Sequence, residues 1–388
     1  MAGNRSILGV LEGVDGAAVR VRQDRCAKVR NRNVECLRCA EACTSGCIAL
    51  VDGRLAVDAR KCVGCGTCAT VCPTCALEAR NPADAQLEQA CLAARQGDEV
   101  AIACEQVRRA LSGLLVEGRA AGVVCLGRVD ESLVCALAVK GVRRVRLVCG
   151  ECSRCAQKPG LDTARLVAAE ANGLLAAWGS DARVLVTRDV PAFALADGVN
   201  TDTARRALDA YFAQERGNEP VNPDGPDHAA SGSSDAFAVV RVMKDGTLPH
   251  FLPNRRERVL DSLAQLGEPQ VDALASRLWG SVVIDGARCS SCRMCATFCP
   301  TGAIRKFDDE DGAFGVLHAP ADCVKCGSCR DICPEGAIIL RDEARTAFLT
   351  SGAAHRYAMA PRPVQLGNAQ QIVNTMRERM KGTNIFER

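Results

Sequence analysis

Cysteine constrains this chain more than any other residue type, because 25 of its 388 residues are cysteines and most stand in short runs. They form three groups, with ten between Cys26 and Cys75, seven between Cys91 and Cys155 and eight between Cys289 and Cys333. An odd number of closely grouped cysteines, without the pattern of a secretory leader, favours metal or cofactor binding over disulfide bonds. We therefore expect the fold to be organised around these thiols.

Two runs with the same spacing lie in the third group. They are Cys289-x2-Cys292-x2-Cys295-x3-Cys299-Pro300 and Cys323-x2-Cys326-x2-Cys329-x3-Cys333-Pro334. A tight loop with gaps of two residues can direct three thiolates to one side of an iron-sulfur cube. The spacing is that of the bacterial two-cluster ferredoxins, in which the last cysteine of each run ligates the other cluster. We predict one 4Fe-4S cluster on Cys289, Cys292, Cys295 and Cys333, and another on Cys323, Cys326, Cys329 and Cys299.

The first group repeats this plan with one departure. One run, Cys62-x2-Cys65-x2-Cys68-x3-Cys72-Pro73, matches in full, whereas the other, Cys36-x2-Cys39-x3-Cys43-x3-Cys47, has one inserted residue and no proline after it. A loop can absorb one extra residue and still present its thiolates. We predict one cluster on Cys36, Cys39, Cys43 and Cys72, and another on Cys62, Cys65, Cys68 and Cys47.

Zinc is the alternative cofactor for these sixteen cysteines. Zinc sites usually combine two ligand pairs a dozen or more residues apart, often with histidine, and the four histidines of this chain lie outside every run. The pattern therefore favours iron-sulfur clusters. Cys26 and Cys75 fall outside the runs, and we interpret both as small buried residues.

In the middle of the chain, apolar strand patterns alternate with helix patterns. Buried strands are predicted at 99–104, 121–127, 142–149 and 182–190, and helices around 106–117, 130–141 and 161–178. This alternation predicts a parallel sheet with helices on its faces. Sites in such sheets lie at the carboxyl ends of the strands, so we expect Cys104, Cys125 and Cys149 at one edge, with Cys152 and Cys155 beside them.

The stretch VCLGRVDESLVCALAVKGVRRVRLVCGEC, residues 124–152, resembles the delta subunit of methyl-viologen-reducing hydrogenases. The resemblance covers about 90 residues and implies a 2Fe-2S cluster that passes electrons between a hydrogenase and a heterodisulfide reductase. The paired cysteines of that family's first strand are reduced here to Cys104, and the loop has an extra Cys155. We predict a fifth cluster, 2Fe-2S or 4Fe-4S, on Cys125, Cys149, Cys152 and Cys155, with Cys104 as an alternative ligand. The alternative is a plain α/β domain with packed thiols.

These patterns predict a mixed fold, α+β and α/β, in which two dicluster ferredoxin-like modules flank a central parallel-sheet α/β domain. The predicted divisions are an N-terminal module at 1–82, the α/β domain at 83–194, a linker at 195–237, and a helical lead-in, C-terminal module and tail at 238–388. The linker contains a stretch rich in Gly, Pro, Asn, Asp and Ser. The lead-in contains an amphipathic helix pattern with Val259, Leu260, Leu263 and Leu266 near one face.

Composition excludes several function classes. A net charge of +3 does not indicate nucleic acid as the main partner, and no apolar run is long enough for direct membrane insertion, so we expect a cytoplasmic protein. The chain has no phosphate-binding loop, nucleophile elbow or zinc-protease motif. We therefore predict no catalytic residue.

A cube ligated by four thiolates has no open position for substrate, so its function is to pass single electrons. We predict an electron-transfer subunit of an anaerobic oxidoreductase complex, of hydrogenase or heterodisulfide-reductase type. Its partners would be a flavin- or metal-containing catalytic subunit and an acceptor such as ferredoxin. The alternatives are an enzyme whose central domain holds a substrate-reducing cluster or flavin, and a redox sensor, for which sixteen patterned ligands are excessive.

Overall fold

The computed structural model of the protein describes residues 18–214 and 243–361, apart from residue 245. A four-stranded parallel sheet lies in the middle of the described chain, and a cysteine-rich module of short antiparallel strands lies towards each end. The predicted mixture of α and β structure around a central parallel sheet is therefore confirmed. In the described residues, no helix is long and apolar enough to cross a membrane.

The N-terminal module is a unit of strand, cysteine loop, one-turn helix and strand that occurs twice. Its elements are β1 (Val19–Val21), α1 (Ala27–Arg30), α2 (Arg38–Glu41), β2 (Ile48–Val51), β3 (Arg54–Val57), α3 (Thr67–Val71) and β4 (Leu77–Ala79). The strand β1 pairs antiparallel with β4, and β2 pairs with β3. Asp52 and Gly53 connect β2 to β3 with φ angles of 49° and 74°, the positive values that a two-residue type I′ turn requires.

The central domain wraps helices around the parallel sheet. Its elements are α4 (Asp84–Ala93), β5 (Glu99–Cys104), α5 (Glu105–Ala110), β6 (Ala121–Val123), α6 (Glu131–Val139), β7 (Arg144–Val148), α7 (Pro159–Ala177), β8 (Arg183–Thr187) and α8 (Thr201–Ala213). The strand order is β6-β5-β7-β8, and every neighbouring pair is parallel. Asp130 caps α6 by accepting a hydrogen bond from the Leu133 amide at 3.1 Å.

Two predictions about this domain are wrong in part. The helix expected around 106–117 ends at Ala110, because the chain turns through Gly113 at φ +79°. The linker does not begin at 195, since 201–213 form α8, which Asn200 caps and which buries Leu208 and Phe212 in the central core. The apolar spacing of α8 explains its packing, and the Gly- and Pro-rich stretch begins only after it. Residues 215–237 lie outside the described residues.

The C-terminal module has the same two units as the N-terminal module, with additional strands. Its elements are α9 (Asn254–Leu266), β9 (Ala273–Ala275), β10 (Ser281–Ile284), α10 (Met294–Thr297), β11 (Ile304–Asp308), β12 (Phe314–His318), α11 (Ser328–Asp331), β13 (Ile338–Arg341), β14 (Glu343–Arg345), α12 (Thr346–Ser351) and β15 (His355–Met359). Antiparallel pairs join β10 with β13, β11 with β12, β12 with β15 and β9 with β14.

The lead-in helix α9 connects the C-terminal module to the central domain. Val259 and Leu263 are buried, and Leu260 and Leu266 are partly buried against the same apolar cluster, as the predicted stripe requires. That cluster also contains Trp178 from the end of α7 and Trp279 from the segment before β10. This apolar cluster therefore fixes the module against α6 and α7 of the central domain.

Candidate metal centres

All four cysteine runs share one backbone pattern. In each run one cysteine is the second residue of a one-turn helix: Cys39, Cys68, Cys295 and Cys329. Four residues later stand Cys43, Cys72, Cys299 and Cys333. Three residues after these the backbone is left-handed, at Gly46 (φ 60°), Cys75 (48°), Gly302 (72°) and Gly336 (56°). The closing position of the first run is therefore occupied by Cys43, and Cys47 corresponds to Ala76, Ala303 and Ala337 of the other units.

In the C-terminal module, each of two cavities is lined by cysteines of both runs. One cavity is lined by Cys289, Cys292, Cys295 and Cys333, and the other by Cys299, Cys323, Cys326 and Cys329. Burial, reinforced by the neighbouring thiols of Cys292, Cys289 and Cys333, raises the pKa of Cys295 to about 12. The two sets are those that the crossed ligand scheme predicts from spacing.

Left-handed residues in the gaps direct these thiols inward. The positive φ angles fall at Ser291 (60°), Arg293 (53°), Lys325 (52°) and Gly327 (83°) in the C-terminal runs, and at Gly64 (68°) and Gly66 (75°) in the Cys62 run. Such conformations are uncommon for residues other than glycine. Their recurrence at equivalent positions shows that the loops are shaped to turn consecutive cysteines towards one point, as a cube requires.

In the N-terminal module the cysteines form two groups of neighbours. Cys65 and Cys68 have Cys43 and Cys47 as electrostatic neighbours, and the sulfurs of Cys43 and Cys47 are 3.4 Å apart. Cys36, Cys39, Cys72 and Cys26 are electrostatic neighbours in the other group. Cys43 therefore lies near Cys47, Cys65 and Cys68, while Cys47 hydrogen-bonds to Cys62, as its predicted place in the second set requires.

Five cysteines gather at the carboxyl edge of the parallel sheet. Burial raises the pKa of Cys104 to about 11, with Cys155 and Cys149 as nearby thiols that raise it further. A hydrogen bond from Cys152 lowers the pKa of Cys149 to about 7. Cys125 has Cys104 and Cys155 among its electrostatic neighbours. The structure therefore brings together the thiols that strand order predicted, and it includes Cys104.

Two further residues contact the closing loop of the Cys62 run. Cys75 is buried, as predicted, and its sulfur accepts a hydrogen bond from Arg255 Nε at 3.1 Å. Arg255 also donates to the carbonyl oxygens of Thr70 (3.2 Å), Cys72 (3.1 Å) and Ala69. Sequence reasoning missed Arg255, because nothing distinguishes it from the other basic residues of its helix. Cys91 and Cys135 are fully buried in apolar clusters, as expected for packing residues.

The arrangement of the described cysteines does not match a site for a single metal ion. In the described part of the chain, no three His, Cys, Asp or Glu side chains converge on a point suited to a single metal ion. The C-terminal tetrads instead surround cavities, with one thiol of each coming from a distant loop.

Comparison with known protein families agrees with this geometry. A family model described as a 4Fe-4S dicluster domain matches residues 288–337, and one described as a 4Fe-4S binding domain matches residues 53–74. The chain carries 4Fe-4S ferredoxin-type domains near both ends. No curated protein matches the chain, and the central domain lies outside both family matches.

Proposed function

We propose that the protein is a multi-cluster electron carrier, in which four 4Fe-4S clusters and a fifth iron-sulfur centre form one path. The supporting observation is that the cysteine sets contact one another in a single order. From one end, the sets are those of Cys289, Cys323, Cys36, Cys62 and Cys125. Iron-sulfur clusters held by four thiolates accept and release single electrons.

The first contact joins the two sets inside the C-terminal module. Cys329, in the Cys323 set, has Cys295, in the Cys289 set, among its electrostatic neighbours. The N-terminal module has the same internal contact, between Cys68 and Cys39. Each module thus offers a pair of adjacent centres, which is the arrangement that lets an electron enter at one and leave at the other.

The second contact joins the two modules. Cys36 and Cys326 border one small apolar cluster, in which Ile332 packs with Ala27 and Val34. Polar contacts surround this cluster: the Glu35 amide donates to Asp331 Oδ2 at 3.1 Å, and Arg38 donates to the Lys325 carbonyl at 3.2 Å. The Cys323 set of one module therefore lies against the Cys36 set of the other.

The third contact joins the N-terminal module to the central domain. Cys65 is an electrostatic neighbour of Cys125, and Thr67 packs so closely that a Cβ on Gly127 would collide with its hydroxyl. Thr70 Oγ1 donates to the Arg128 carbonyl at 3.1 Å in the same interface. Because these side chains leave no room for a layer of solvent, the central cysteines adjoin the Cys62 set directly.

In this proposal the path serves a larger oxidoreductase complex of hydrogenase or heterodisulfide-reductase type. A flavin- or metal-containing catalytic subunit would exchange electrons at one end, and ferredoxin or another acceptor at the other. The exposure of Cys292, in the set at the C-terminal end of the path, supports electron exchange at that end. Residues of this chain hold, bury and space the clusters, and none acts on a substrate.

The test is anaerobic purification of the full chain, with iron and sulfide analysis and electron paramagnetic resonance (EPR) during stepwise reduction. We expect about sixteen irons from four cubes, two to four more from the central centre, and magnetic coupling between neighbouring clusters. A double variant, Cys149→Ser with Cys152→Ser, should remove one spectral component, whereas the control Cys135→Ala should remove none. Stoichiometric zinc with little iron would refute the proposal. Affinity purification from the native source would then identify the partner complex.

A further inference from the structure

We infer that Cys26 is the fourth ligand of the cluster that Cys36, Cys39 and Cys72 hold, although nine residues separate it from Cys36. In the second cluster, Cys43 then completes the set of Cys62, Cys65 and Cys68, and Cys47 ligates neither cluster. The inference rests on the proposed function, since it assigns ligands within those clusters.

The distance from the preceding strand places Cys26 at the start of a cysteine loop. In each of the other three units, the first cysteine is the fifth residue after a strand: Cys62 after Val57, Cys289 after Ile284 and Cys323 after His318. Cys26 is likewise the fifth residue after Val21, the last residue of β1. The fold therefore supplies a first cysteine to all four loops.

The backbone around Cys26 repeats that around Cys323. Each residue ends a short 3-10 helix, Gln23–Arg25 or Pro320–Asp322. The φ and ψ angles are −70° and 118° at Cys26, and −74° and 120° at Cys323. The amide of each donates to a carbonyl three residues earlier, at 3.2 Å for Cys26 and 3.1 Å for Cys323. This shared conformation gives the Cys26 side chain the orientation that Cys323 has as the first cysteine of its run.

The neighbours of Cys26 are the other members of the proposed set. Its electrostatic neighbours are Cys72 and Cys36, and those of Cys39 are Cys72, Cys26 and Cys36. Asn33 stands where a gap of two would put a cysteine, and the nine-residue gap holds α1. Ala27 and Val34 of this gap pack on Ile332, so the insertion forms part of the contact between the two modules.

Cys43 and Cys47 both face the Cys62 run, and the closing turn distinguishes them. The Gly46 amide bonds to the Cys43 carbonyl at 3.4 Å, as the Cys75 amide does to Cys72 at 3.4 Å. Cys43 is a stronger electrostatic neighbour of Cys65 and Cys68 than Cys47 is, whereas Cys47 is the one that hydrogen-bonds to Cys62. Cys47 then takes a position that is alanine in the other three units, which is why alanine is its natural replacement.

The test compares Cys26→Ala, Cys43→Ala and Cys47→Ala in the full chain, each purified anaerobically beside the parent and the control Cys135→Ala. We expect Cys26→Ala and Cys43→Ala each to lose about four irons and one EPR component, and Cys47→Ala to keep both at parent values. Signals of the C-terminal clusters report whether each variant is folded. A Cys26→Ala protein with full iron, or a Cys47→Ala protein that has lost a cluster, would overturn the inference.

If Cys26→Ala does not accumulate, the other pair of variants decides. Loss of a cluster in Cys43→Ala with a replete Cys47→Ala supports the inference, and the reverse pattern refutes it. An iron-free parent would defeat the proposed function itself. A replete parent with an unaffected Cys26→Ala variant would defeat only the ligand assignment.

Discussion

The two terminal modules have the same architecture, but the spacing of their cysteines differs. Both contain two units of strand, cysteine loop, one-turn helix and strand, with equivalent strand pairing between β1 and β4 and between β10 and β13. The C-terminal runs keep gaps of two residues between their first three cysteines. In the first N-terminal loop, nine residues separate the inferred ligand Cys26 from Cys36. The comparison teaches that strand ends and closing turns fix the register of a ligand loop, and that the gap length can vary.

One segment contacts the closing turns of both modules. His250 Nδ1 lies 3.2 Å from the Cys299 carbonyl oxygen, and the Phe251 amide donates to the Pro300 carbonyl at 2.8 Å. A few residues later, Arg255 bonds to the Cys72 loop of the other module. The segment therefore contacts the two modules differently. The His250 ring and a backbone hydrogen bond contact the C-terminal module, and the charged Arg255 side chain contacts the N-terminal module.

The largest expected effect on stability comes from removing the Arg255 side chain. Arg255→Ala leaves three loop carbonyls and Cys75 without their donor, and removes one of the cations near the buried Asp130 carboxylate. We expect a loss of about 3 to 5 kcal/mol in the free energy of unfolding. Denaturant unfolding, followed through the N-terminal cluster signals, measures it.

Arg258→Ala, on the same helix, is the matched control and should cost about 1 kcal/mol or less, because its carboxylate partners keep contact with solvent. Equal losses for Arg255→Ala and Arg258→Ala would show that the bonds to the Cys72 loop contribute nothing specific.

The next largest expected difference between the modules is in their stability at acid pH. Burial, with a smaller effect of His355, lowers the pKa of His318 to about 4, while the N-terminal module contains no histidine. A histidine whose folded pKa lies below its unfolded value of about 6.5 loses stability as pH falls from about 6.5 to 4, because only the unfolded state gains the proton. The loss should reach roughly 3 kcal/mol at pH 4.

The measurement is urea unfolding of the full chain between pH 7 and pH 4, with separate signals for the two modules. His318→Leu should flatten the C-terminal profile, because it removes the titrating group from a buried site. A C-terminal profile that is unchanged by this substitution would refute the assignment of the acid effect to His318.

Sequence predicted most of the fold but only part of the ligand scheme, for a physical reason. The parallel sheet and the α9 stripe follow from periodicity, which local burial enforces. The partition of Cys26, Cys43 and Cys47 depends on where strands end and where the backbone turns left-handed, and neither is visible in cysteine spacing. Arg255 was missed because its partners are backbone carbonyls, which leave no pattern in sequence.

A smaller effect tests the contact between the modules. Ile332 is 5% exposed and packs on Val34, so Ile332→Ala should cost about 2 kcal/mol, the low end for a truncated core side chain. The matched control is Ile339→Ala, since Ile339 is 55% exposed. Thermal unfolding checks the stability, and magnetic coupling between the modules should weaken only in Ile332→Ala. Unaltered coupling in a destabilised Ile332→Ala protein would argue that the modules are held together elsewhere.

The smallest effect returns to the closing turns, where the two modules place glycine at the same left-handed position. A Cβ at Gly46 meets no atom within 4 Å, so Gly46→Ala should cost only the backbone strain of about 1 to 2 kcal/mol. A Cβ at Gly302 would lie 2.9 Å from the His250 ring, and Gly302→Ala should cost more than Gly46→Ala by the displacement of that ring. Thermal unfolding of both variants, and of Gly302→Ala with His250→Ala, measures the difference. If the second substitution does not bring Gly302→Ala down to the cost of Gly46→Ala, then the ring is not what distinguishes the two turns.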